Sequence, residues 1–287
     1  MPRHPDRQLE RLSQPVAARL LAASGTAVVA VGSVEQHGGH LPLGTDAFAA
    51  QSIAERVAFR LDTVVAPVGP VGVAPYHLSW PGSLSLSPST LMAILVDVCA
   101  ALAKAGVSQI VVVNWHEGNS PTLRLAAAEA QQRHGLRILI AETHVITNGL
   151  YPDEMEFTHA GSMETAAVLA YEPGLVRLDQ AISSSDLASG ETAHEVFRQR
   201  DVYPVLQDFH DIAPTGWYGR PERADAGRAE EIAEAVADHV VRRVKEIWAQ
   251  LAAREGPVPA AGDGLSAAAG DGLSAAAGDG LSAGARR

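Results

Sequence analysis

The 287 residues include a single cysteine, few aromatics and no long apolar run, and each scarcity excludes something. Cys99 alone cannot form an internal disulfide, and its place in an apolar helical stretch reads as a packed core thiol rather than a nucleophile. No segment approaches the roughly 18 uninterrupted apolar residues of a membrane helix, and Arg19 breaks the stretch Val16 to Ala23, where a signal core would sit. A soluble cytoplasmic protein is expected. Basic residues are also short, 22 Lys+Arg against 33 Asp+Glu for a formal charge of −11. Such a surface repels phosphate backbones and anionic bilayers, so neither nucleic acid nor membrane is expected as a partner. What remains, 47% hydrophobic and 19% charged residues, is the composition of one globular domain with a substantial core.

Short β-branched and apolar runs at Thr26–Val31, Thr63–Val68, Gln109–Val113 and Arg137–Ala141 read as strands. Helical periodicity follows from Asp46 to Leu61, from Pro88 to about Ala105, up to about His134, after Gly161, and from about Ala224 to Ala253. The stretch from Ile182 to Trp217, rich in Ser, Asp and Gly, reads as irregular. Apolar strands without in/out alternation, linked by amphipathic helices, predict a single α/β domain over residues 1–255. Its central, largely parallel sheet is flanked by helices on both faces. Ligands of such sheets gather beyond the carboxyl ends of the strands, so the turns after Val31 and Val113 are expected to converge. Residues 256–287 differ in kind: AGDGLS recurs at Ala261, Ala269 and Ala277, with too little apolar area to offset backbone ordering, and a flexible tail is expected.

Three polar strings punctuate this pattern. GSVEQHGGHLPLGTD places Glu35, His37, His40 and Asp46 in one loop at a strand end. Alone, it could be a solvated turn with Asp46 capping the next helix. NWHEGN adds His116 and Glu117 after another strand, and THAGSMET adds His159 and Glu164. Three carboxylates gathered without nearby Lys or Arg need compensating positive charge, which metal ions provide. Two divalent ions, about +4, balance three carboxylates and one hydroxide, about −4. Mixed imidazole and carboxylate ligation suits zinc, manganese or iron(II).

These strings, with TGWYGRPERADAGR from Thr215 to Arg228, resemble the creatininase family of metal-dependent amidohydrolases over roughly Val28 to Arg228. The resemblance implies an α/β fold, a homo-oligomer that is usually a hexamer, and two divalent metal ions per chain, zinc first, acting on unusual C–N bonds. Carried over by position, Glu35, Asp46 and His116 would hold one ion. His37, a bridging Asp46 and a further Glu would hold the other, and His159 would shuttle a proton. Creatininase places that further Glu two residues after the second-cluster histidine, where this chain has Gly118, so Glu164 is preferred, with Glu117 the alternative. Thr158 stands where creatininase has a Glu, which argues against creatinine as substrate. Tyr76, His77 and Trp80 resemble the family's substrate-facing loop, with local packing the competing reading, and Trp115 is expected to narrow the pocket. Trp217 and Tyr218 face either the pocket or a subunit contact. His40 is expected as a supporting hydrogen-bond donor, and His134, His194, His210 and His239 as solvated surface groups.

The resulting expectation is hydrolysis of a small-molecule amide (a cyclic amide, a formamide or a modified peptide) by metal-activated hydroxide, with His159 as general acid. A lactone hydrolase on the same site is one alternative. A metal-bound scaffold without turnover, prompted by Gly118 and Thr158, is the other.

Overall fold

A computed structural model describes residues 6–181, 187–199 and 201–255. Strands β1 (Thr26–Val31), β2 (Val65–Ala66), β3 (Gln109–Asn114) and β4 (Arg137–Glu142) form one parallel sheet in the order β2-β1-β3-β4. Around it lie α1 (Gln14–Ser24), α2 (Thr45–Arg60), α3 (Pro88–Lys104), α4 (Ser120–His134), α5 (Thr143–Leu150), α6 (Ser162–Tyr171), α7 (Leu187–Phe197) and α8 (Ala229–Glu255). The compact unit spans Met1–Trp248, and a second, smaller unit spans Ala249–Arg287. The AGDGLS repeats lie outside the described residues.

Both faces of the sheet are apolar because both are covered. Ala27, Val29, Ile110 and Val112 meet Leu20, Leu91, Leu95, Cys99 and Leu123 of α1, α3 and α4. From the same strands, Val28, Val111 and Val113 point the other way, against Ile53, Val57, Met163 and Val236 of α2, α6 and α8. Period-two alternation of direction, with apolar partners on each side, is why these strands read as continuous hydrophobic runs. Helix α3 starts where the chain offers both a cap and a rigid first turn: Ser87 accepts from the Thr90 amide at 3.2 Å, and Pro88 follows. No helix among the described residues is long and apolar enough to cross a membrane.

Five elements differ from the sequence reading. Strand β2 holds only two residues, since Pro67 cannot donate to a ladder and ends the pairing after Ala66 opposite Val29. Helix α7 occupies part of the stretch expected to be irregular, and α1 and α5 have no counterpart in that reading. Helix α8 starts at Ala229, five residues late, because the Asp225 carboxylate turns the chain by accepting from the Gly227 amide at 2.8 Å.

Candidate metal centre

The chain leaves β1 toward β2 on one side and β3 on the other, so the strand order reverses between β1 and β3, where open α/β sheets place their crevice. Glu35 and His37 leave the end of β1, and His116 leaves the end of β3. Asp46 sits in the first turn of α2, which approaches β1 closely: a Cβ on Gly32 would lie 2.4 Å from the backbone of Asp46 and Ala47. Glycine at position 32 is what lets the two ends meet. Glu164 arrives from the first turn of α6, and all five side chains are buried.

These residues form two three-membered groups that share one carboxylate. In one, His116 Nδ1 lies 3.0 Å from Asp46 Oδ2 and 3.3 Å from Glu35 Oε2. In the other, His37 Nε2 lies 3.4 Å from Asp46 Oδ1 and 3.7 Å from Glu164 Oε2. Within each group the potential ligand atoms lie within 4.8 Å of one another, and Glu35, His37 and His159 make a third such group. Backbone carbonyls set which ring nitrogen faces inward. His37 Nδ1 meets the Glu35 carbonyl at 3.1 Å and His116 Nε2 meets the Val73 carbonyl at 3.0 Å, leaving His37 Nε2 and His116 Nδ1 for the carboxylates. Ser33 Oγ reaches both Glu35 Oε2 at 2.7 Å and Asp46 Oδ2 at 2.8 Å.

The electrostatics are those of a site short of positive charge. Burial pushes Glu35 and Glu164 above the usual carboxylate range, and Asp46 adds to both. Burial works against the charged form of His37, yet Asp46, Glu164 and Glu35 outweigh it and raise the imidazole to about 10. His116 rises to about 9 in the same way, against its burial, through Glu35 and Asp46. Among the described residues no Lys or Arg pairs with these carboxylates, so in the chain alone protons supply the missing charge. His37 Nε2 is buried with no hydrogen-bond partner. An unpaired imidazole nitrogen facing two carboxylates, with all-nitrogen and oxygen donors, fits divalent cations of the zinc, manganese or iron type.

The cluster opens into a cavity of about 190 Å³ whose walls include Tyr76, His77, Trp115 and His159. His77 also touches the cluster, with Nε2 3.2 Å from Glu35 Oε1. Trp80 does not line the cavity. It lies one layer back, stacked on His210 with centroids 3.8 Å apart and edge-on to Phe209 at 6.4 Å. His159 is buried, its Nε2 2.8 Å from the Gln36 carbonyl, and its ring is 4.5 Å from that of His37 and 4.8 Å from that of His77. Its burial and those two neighbours hold it well below the ordinary histidine range. His40 stands outside all three groups and bonds the Ala160 carbonyl at 2.8 Å, supporting the turn before Glu164. Trp217 packs edge-on to His40 rather than facing the cavity. Glu117 is also outside the groups: Arg198 holds its Oε2 at 2.8 Å.

Sequence reasoning missed the far wall. His194, expected to be a solvated surface group, lines the cavity and bonds the Tyr218 hydroxyl, because α7 folds back over the site. Phe157, Arg198 and Phe209 line it too, as does His144 at the start of α5. For His144 a signal existed: it follows a strand, on the rim where ligands gather.

Fold and site together define a metal-dependent amidohydrolase of the α/β class. The family model for creatininase, described as creatinine amidohydrolase, matches residues 10–244, and the chain belongs to the creatininase family. A mycofactocin precursor peptide peptidase of Mycolicibacterium smegmatis is 31% identical over 226 residues, covering 76% of this chain and 83% of that protein. Creatinine amidohydrolase of Pseudomonas putida is 27% identical over 208 residues, 66% of this chain and 77% of its own. In structure, a creatinine amidohydrolase superposes with a TM-score of 0.69 at 23% identity, covering 84% of this chain and 97% of that one. A creatininase variant described as Zn-Zn type matches with the same TM-score at 22% identity, over 84% and 98%.

Proposed function

We propose that this chain hydrolyses a C–N bond of a small-molecule amide at a two-cation centre. In this reading Glu35, Asp46 and His116 would hold one ion and His37, Asp46 and Glu164 the other, with Asp46 common to both sets. The observation that carries it is the position of Asp46, one oxygen toward each imidazole and a member of both groups. Bound divalent cations, zinc first, supply Lewis acidity toward a carbonyl and make water acidic enough to attack at neutral pH.

The chain's own groups do the rest. The Glu35 and Val73 carbonyls orient the two imidazoles, and Ser33 orients Glu35 and Asp46. His159 lines the cavity as a neutral ring whose Nε2 is engaged by Gln36, so Nδ1 is the nitrogen that can exchange a proton. A neutral imidazole there accepts the proton of the attacking water and returns it to the departing nitrogen, the general acid step of the reaction. Trp115 and Tyr76 exclude water from one side, and Tyr76 stacks at 6.4 Å on His116.

Similarity to a creatinine amidohydrolase and to a precursor peptide peptidase supports an amide as substrate, a cyclic amide, a formamide or a modified peptide. The exposed Leu78 and Leu84, beside the loop that carries Tyr76, support assembly into a homo-oligomer, a hexamer by resemblance, and the buried lone thiol suits the cytoplasm. The test is metal counting on purified protein alongside turnover of creatinine, formamides, lactones and short peptides. About two ions per chain with amide turnover is expected. Protein without stoichiometric metal, or turnover of lactones alone, overturns the proposal.

A further inference from the structure

His144, the second residue of α5, lies on the rim that carries Glu35, His37 and His116, yet it belongs to none of the three donor groups. Its side chain is buried, its ring stacks on Phe157 with centroids 5.5 Å apart and planes 13° from parallel, and its Nδ1 has no hydrogen-bond partner. Leaving a buried nitrogen unpaired is unfavourable, a cost removed where a ligand supplies the partner. Next to it on the same wall, the Arg198 guanidinium lies 3.9 Å from the Phe157 ring centroid. Arg198 donates from Nε at 3.2 Å and Nη2 at 2.8 Å to one oxygen of Glu117, Oε2, and from Nη1 at 3.2 Å to the Phe157 carbonyl.

This leaves a particular set of free groups. A guanidinium has five N–H bonds, and among the described residues three are used, so donors remain on Arg198 there. Both Arg198 contacts to Glu117 fall on Oε2, and Oε1 remains as an acceptor. The pair neutralises itself, and His144, lowered by its burial, adds no charge. Such a wall has little attraction for a free carboxylate or ammonium group. It offers one donor edge, one acceptor and two flat rings, the complement of a planar C=O/N–H unit.

We propose that Glu117, Arg198, His144 and Phe157 form a second subsite, which binds a neutral planar amide of the substrate apart from the bond that is cleaved. The inference rests on the amide-hydrolase reading and narrows it: the substrate carries a second amide, as a peptide or an acylated amino amide does. Glu117 and Arg198 then act as substrate-binding residues, and His144 as the group whose unpaired nitrogen the substrate satisfies.

The test uses the zinc-loaded full chain and two probes of equal size, N-acetylglycinamide and N-acetylglycine, with binding read by calorimetry. Zinc content and melting temperature are recorded for the wild type and for Glu117→Gln, Arg198→Gln and His144→Phe. Each substitution is expected to weaken N-acetylglycinamide about tenfold while leaving zinc content unchanged and weakening N-acetylglycine, which carries a single amide, by less. His144→Phe keeps the stack and loses the unpaired nitrogen, so its melting temperature should hold or rise, unlike that of a residue with a structural role. Three results overturn the subsite: no binding of the diamide by wild type, diamide binding unmoved in all three variants, or a preference for N-acetylglycine that vanishes with Arg198→Gln. Diamide binding that depends on these residues in a chain that takes up no zinc would keep the subsite and remove the hydrolase, so the two failures are separate.

Discussion

Loading cations into the cluster must expel protons, and the number can be worked from its geometry. In the chain without metal, Asp46, Glu164 and Glu35 overcome the burial of His37 and raise it to about 10, and Glu35 and Asp46 do the same for His116, to about 9. Both imidazoles are therefore charged at pH 7.5, whereas a metal ligand must be neutral, so at least about two protons leave each chain on loading. Glu35 and Glu164, raised by burial, add to that number as the pH falls. Apparent zinc affinity should rise about a hundredfold per pH unit between about 7 and 9, more steeply below 7 where Glu35 and Glu164 also hold protons, about tenfold between 9 and 10, and level off above, since each proton displaced contributes a factor of ten. Zinc titrated into chelator-stripped protein, by calorimetry in two buffers of different ionisation enthalpy, reads the proton count directly. Release of fewer than one proton, or an affinity flat from pH 6 to 9, refutes the reasoning. Stability follows with a definite sign. The folded values of both histidines lie above the ordinary 6.5, so their contribution is complete below about 6.5 and is lost as pH rises through 9 and 10. The raised carboxyls of Glu35 and Glu164 act in the same direction at lower pH. The stripped chain should thus melt lower at pH 9 than at pH 6, and zinc should recover the difference.

Two substitutions separate metal binding from proton transfer. Asp46→Ala removes the carboxylate common to both groups and should lose metal and turnover together. His159→Ala should keep its metal, counted by elemental analysis, and lose about 10²–10⁴ in kcat, and a fully active variant would remove its role. Gly118→Ala places a Cβ 2.5 Å from His116 Nε2, the Tyr76 hydroxyl and the Val73 carbonyl. The His116–Val73 bond must then give way, so zinc affinity should fall about 10–100-fold, the usual cost of losing such an orienting bond; an affinity equal to that of wild type would show the ring is held by other contacts.

How much of this was readable before the structure depends on the range over which each signal acts. Strand β1 ends where its apolar run ends, and α3 starts at Ser87 and Pro88, because burial on both faces and capping are encoded within a few residues. Helix α5 was missed because Thr143, Thr147 and Asn148 favour turns in isolation. What makes it a helix is position: Thr143 bonds the Asn114 carbonyl at 2.7 Å and Thr147 the Thr143 carbonyl at 2.8 Å. Pro67, by contrast, was a visible reason to shorten β2.

At the site, what was legible is whatever the strand ends deliver. Glu35, His37, Asp46 and His116 stand in short polar strings after apolar runs, and the rule that ligands collect at the carboxyl edge brings them together before any coordinates. Glu164 was legible as a third carboxylate in its own string, but its preference over Glu117 needed the resemblance, since nothing local says that the start of α6 faces the end of β1. The far wall lacks even that. Arg198, His194 and Phe209 come from a segment whose composition looks like loop, and they gain meaning from Glu117, Tyr218 and His77, between 24 and 132 positions away in the chain. Cations need a fixed donor set that short strings can carry, whereas a substrate is met by whatever side chains the fold lays across the opening. The candidate cation ligands therefore stand in a few short strings, whereas the cavity wall is built by contacts between distant residues such as Glu117 and Arg198.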